Sequence, residues 1–186
     1  MSAFDYLSVL ISLVLGLGIT QLLSGFARWL ELRGRVRVYP PAIVWAAFLF
    51  LVHVQTWWAM FGLRGWSEWN FLQFSLVLLQ PTILFLLASL AFPGSAAADQ
   101  DPRVNFHTHR TWFFGLLLGL LAISLLKDYV RSGALPGPAN LAFHGGLAAV
   151  ALAALMARRD PYQLIIALAG LAVMVAYVVL LFANLA

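Results

Sequence analysis

His53 and His144 are ionisable side chains set within apolar runs, a placement costly enough that chemistry is its first explanation. Two neutral imidazoles from separate helices form the axial ligand pair of a b-type haem, and Gly145 and Gly146 would let a macrocycle approach the backbone beside His144. His53 falls near mid-membrane and His144 about 9 Å inside the end of its run, a mismatch in depth of about 6 Å. The competing reading is a pair of hydrogen-bonded core histidines, with Gln55, Gln73 and Gln80 as nearby partners. A proton relay through His53 is a third reading, but its run holds no acidic neighbour.

The stretch "PGSAAADQDPRVNFHTHR" gathers Asp99, Asp101, His107 and His109, oxygen and nitrogen donors that could hold a metal. Its Ala, Ser, Gly and Pro content reads instead as a solvated connector, and His-x-His spacing turns the two rings to opposite sides of an extended chain. The absence of cysteine excludes disulfides, thiolate metal sites, a thiol nucleophile and covalently attached haem. No nucleophile–base spacing and no phosphate-binding glycine loop is present. Gln80 precedes Pro81 in mid-run, where a proline frees a carbonyl and bends a helix.

A second polar pattern occupies the first apolar run, where Ser8, Ser12, Gly16, Thr20 and Ser24 recur at every fourth position and Gln21 lies alongside. Residues four apart advance about 40° around an α-helix, so the small side chains wind through about 160° and suit a partner helix crossing at an angle. The alternative is a hydrated path lined by Ser12, Gly16, Thr20, Gln21, Ser24, His53, Gln55, Gln73 and Gln80. Small residues recur as Gly115 and Gly119, and as Gly145, Ala149, Ala153 and Ala157, which predicts that the first, fourth and fifth runs form the packed centre. Phe48, Phe50, Phe61, Phe71, Phe74 and Phe85 would place the second and third runs on the rim.

The elements that hold these residues follow from composition. Of 186 residues, 63% are hydrophobic and 10% charged, and the mean hydropathy is +0.92, so the solvent of this chain is lipid. A hydrocarbon core of about 30 Å takes about 20 helical residues to cross. Pro, Gly and charge then bound six spans at about 6–28, 41–63, 70–92, 110–130, 139–157 and 162–184, an all-α bundle in one domain over 1–186. Three spans per half permit a 3+3 inverted arrangement. The first run has no preceding Lys or Arg and no cleavage pattern, so it is expected to stay in the mature chain rather than act as a signal peptide.

Eight of the eleven basic residues lie in or beside the loops after spans one, three and five, which places those loops in the cytoplasm and both termini outside, in a bacterial inner membrane. Trp29, Trp45 and Trp112 mark the cytoplasmic interface, and Trp57, Trp58, Trp66 and Trp69 the outer one. Lys127 is expected to snorkel to that outer interface, with Asp128 pairing to Arg131. Arg33, Arg35 and Arg37 could contact anionic lipid headgroups, and a second copy of the chain is a further candidate partner. Basic charge split among short loops argues against nucleic acid. A channel or carrier for an ion or small solute ranks first, a haem protein second and a non-catalytic scaffold subunit third.

Overall fold

In lipid no water accepts hydrogen bonds from an open backbone, so apolar runs of this length must become helices. The computed structural model, which describes residues 3–31, 38–66, 69–92 and 101–181, has six: α1 (Ala3–Glu31), α2 (Pro40–Ala59), α3 (Phe71–Ala91), α4 (Pro102–Ser132), α5 (Pro138–Met156) and α6 (Asp160–Leu181). A 3₁₀ turn over Met60–Leu63 extends α2. All six are long and apolar enough to cross a membrane, and no strand occurs among the described residues.

Local chemistry sets the ends. Proline opens α2, α4 and α5, where its missing N–H costs nothing. Asn70 and Gln73 form a reciprocal capping box at the start of α3. Asp101 accepts from Arg103 N at 2.9 Å and so starts α4 eight residues before the expected 110. The segment "RVNFHTHR" is therefore helix rather than connector, held by the cap and by burial of Asn105 and Phe106. At 31 residues α4 spans about 46 Å, more than the hydrocarbon core requires.

The centre of the bundle is not where the small residues suggested. In the most apolar windows of α2 and α3, 44% of residues are buried, against 28% in α1 and 22% in α4, α5 and α6. Large side chains interlock there: Trp45 meets Phe48, Phe113 and Phe114 edge-on at centroid distances of 5.2, 5.9 and 5.0 Å. Trp45 is thus a core residue and not an interfacial anchor, while Trp57 and Trp112 do face outward. Gly115, Gly119 and Gly145 have no neighbour that a Cβ would meet, so they bring no helix close.

Three other glycines do: Gly170 of α6 lies against Val150 and Trp45, and two more sit on α1. On α1 the buried face is Leu7, Ile11, Leu15, Gly18, Leu22 and Gly25, and a side chain at Gly18 would collide with His53, one at Gly25 with Phe92. The helix packs through this face on α3 and α2. Around the bundle α3 continues to α4, α4 to α5, α5 to α6 and α6 back to α2. The two halves pack differently, since α1 lies directly on α3 whereas α4 and α6 meet chiefly through α2 and α5.

Candidate functional site

On α4 the residues Leu117, Leu120, Leu121, Ser124, Lys127, Asp128 and Arg131 recur at steps of three and four, so one helix face passes from apolar to polar as it nears the helix end. That face borders a cavity of about 240 Å³. Its apolar wall includes Phe48, Val52, Leu117, Leu120, Leu147 and Met174, and its polar wall Gln55, Gln80, Ser124, Asn140, His144 and Tyr177 beside Lys127, Asp128 and Arg131. Gly62 and Arg131, both exposed, stand at its rim. The cavity lies toward the last turns of α2, α4 and α6 and the first turns of α5, the end of the bundle that also carries the start of α1.

Lys127 is the most consequential of these side chains. It does not snorkel outward; its ammonium turns into the bundle and donates to Gln80 Oε1 at 2.9 Å. Gln80 is buried in α3 beside Pro81, and α3 runs unbroken through both. Neither Lys127 nor Arg131 makes an ion pair with Asp128 among the described residues, so the anticipated Asp128–Arg131 bridge is not formed. An ammonium with an amide oxygen as its acceptor retains two donors directed at no carboxylate.

His144 is held by α5 and α4 together. Its Nδ1 lies 3.0 Å from Asn140 O, a pure acceptor, so Nδ1–H donates there, and its Nε2 lies 3.2 Å from Ser124 Oγ. The same logic fixes His53, whose Nδ1–H donates to Leu49 O at 2.7 Å. Its Nε2 is then a buried acceptor without a partner, pressed on Gly18 of α1. Haem ligation by this pair would require His144 Nε2 to leave Ser124 and Gly18 to move from beside His53 Nε2. His144 lines the cavity and His53 does not.

Toward the opposite end of the bundle two layers of side-chain contacts lie beyond the cavity. Below the cavity a file of rings runs from Phe48 through Trp45, Phe114 and Phe106 to Tyr39, with successive centroids 5.2, 5.0, 6.3 and 5.3 Å apart. Beyond it Asp160 joins three elements: it accepts from Tyr39 OH at 3.0 Å and from His107 Nε2 at 3.0 Å, and pairs with Arg103 at 2.7 Å. Burial, and then the hydrogen bond to Asp160, push the Tyr39 phenol well above its usual range, so it stays a donor. Gln163 Nε2 donates to Ala154 O and Ala157 O, both at 2.7 Å, and Arg110 donates to Ala157 O at 2.7 Å, tying α4 and α6 to the end of α5.

The residues singled out from sequence fall into separate places. Gln55, Gln80 and His144 meet at the cavity. Gln73 is spent on its capping box, and Ser12, Gly16, Thr20, Gln21 and Ser24 lie on the exposed face of α1, where Thr20 Oγ1 donates to Gly16 O at 2.8 Å. Asp101 caps α4 and His107 binds Asp160, and no three His, Asp or Glu side chains converge as metal ligands among the described residues. Asp99, Arg33, Arg35 and Arg37 lie outside the described residues. Ser124, Asn140 and Tyr177 line the cavity without having been singled out from sequence, and Lys127 and Arg131 line it although the sequence reading gave them to the outer interface and to a pair with Asp128; the three-and-four spacing on α4 was the available signal. No family model matches this chain, and no curated protein or solved structure does either.

Proposed function

We propose that the protein is a carrier of a small solute, with the cavity beside Lys127 as its binding site. The observation that supports this most is the Lys127 ammonium turned into the bundle at a cavity wall with an amide as its acceptor. Charged groups inside membrane proteins face the bundle interior and mark solute paths. A cavity at one end, with an aromatic file and an Asp160 network at the other, fits a carrier resting in one of two alternating states better than an open channel. The distribution of arginines supports an orientation in which the cavity faces the outside of a bacterial inner membrane and the Asp160 network the cytoplasm.

Light scattering from proteoliposomes mixed with isosmotic sodium chloride, sodium acetate, sodium benzoate or glycerol tests the reading. Protein-dependent entry of at least one of these solutes, abolished by Lys127→Met, is expected. Permeability equal to that of protein-free liposomes for all four would overturn it.

A further inference from the structure

We infer that the Lys127 cavity takes a small amphiphilic monocarboxylate, of the size of benzoate or octanoate; this rests on the reading that the cavity is the binding site. Charge sets the first part of the argument. Lys127 and Arg131, one turn apart on α4, border the same space with a single carboxylate, Asp128, so the wall carries one net positive charge. Like charges four apart on a helix repel, and an interior ammonium whose hydrogen bond goes to an amide, with Asp128 nearby but not ion-paired, is under-solvated. A monoanion relieves both costs, and the planar fork of Arg131 beside the point charge of Lys127 matches the two oxygens of a carboxylate.

Shape and wall chemistry set the second part. A dry cavity of about 150 Å³ accommodates benzene, so 240 Å³ takes a molecule of about ten non-hydrogen atoms. Chloride or phosphate would leave most of that volume unfilled. The apolar part of the wall, which includes Phe48, Val52, Leu117, Leu120 and Leu147, offers a hydrocarbon body a surface it can desolvate and an inorganic anion none. Ser124 and His144 are already bonded to each other, and Lys127 and Arg131 are the cationic donors that border the site.

Calorimetric titration of the detergent-solubilised protein with sodium benzoate, benzyl alcohol, sodium acetate and sodium phosphate tests this. Benzoate is expected to bind at least tenfold more tightly than the other three, because benzyl alcohol lacks the charge, acetate the apolar body, and phosphate both the single charge and the body. Lys127→Met, which exchanges the ammonium for an apolar chain, and Arg131→Gln, at an exposed rim position, should each weaken benzoate at least fivefold and leave benzyl alcohol unchanged. Benzyl alcohol binding as tightly as benzoate, phosphate binding more tightly, or benzoate affinity unaltered in both folded variants would overturn the inference. Benzoate binding without flux in proteoliposomes would uphold the ligand class and defeat the carrier reading. Flux of glycerol or chloride with no benzoate binding would defeat the ligand class alone.

Discussion

Replacing Asp160 with alanine removes the one carboxylate that joins the start of α4 and the start of α6 to Tyr39, and its cost can be worked bond by bond. The buried Tyr39 hydroxyl loses an acceptor at 3.0 Å, worth about 1–3 kcal/mol when such a group is left unsatisfied. Without Asp160 the His107 ring can take the other tautomer, and its Nε2, 3.5 Å from that hydroxyl, can then accept part of the bond, which pulls this loss toward its lower bound. The half-buried His107 loses a bond at 3.0 Å, about 1 kcal/mol. Arg103 is 60% exposed, so its 2.7 Å ion pair adds less than about 1 kcal/mol. The total is about 2–3 kcal/mol for Asp160→Ala and about 1 kcal/mol for Asp160→Asn, which keeps an acceptor for Tyr39. Reversible SDS unfolding of wild type, Asp160→Ala, Tyr39→Phe and the double variant measures this, with a coupling of about 1 kcal/mol expected between the two positions. An Asp160→Ala variant within about 0.5 kcal/mol of wild type, with no coupling, would refute the assignment of this network as a closing element.

Gly18→Leu should destabilise the fold by about 1–3 kcal/mol in the same assay because it drives into the fixed ring of His53, whereas Gly16→Leu, with open space around it, should change it by less than about 0.5 kcal/mol. Gln163→Leu strips two 2.7 Å bonds from the carbonyls ending α5 and should cost about 1–2 kcal/mol by SDS unfolding. Because the Tyr39 phenol is held above its ordinary pKa of 10.0, its contribution to stability is intact below that pH and declines above it; unfolding measured from pH 8 upward should show the decline, and Tyr39→Phe should flatten it.

The number, type and order of the elements could be read from the sequence because lipid leaves an apolar run of 20 residues no alternative to a helix. Ends were legible where proline and charge mark them, as at Pro40 and Pro138, and missed where a side-chain cap decides, as at Asp101. Burial was not legible. In water hydrophobicity separates inside from outside, but in lipid both sides of a helix are apolar, and the small-residue stripe of α1 turned outward while Gly18 and Gly25 made the close contacts. The histidines drew attention by their rarity and Lys127 did not, because a lysine near a helix end looks the same in sequence whether it reaches out to water or in to Gln80.

The absence of cysteine gives a clean measurement of whether the cavity opens at one membrane face and is closed at the other. Ser124→Cys places a single thiol of nearly the same size on the cavity wall. In sealed vesicles of known orientation, a membrane-impermeant maleimide should label this thiol from the side bearing the start of α1 and not from the side bearing Asp160, and benzoate should slow the labelling. Labelling from the Asp160 side, or equal labelling from both sides, would contradict the account.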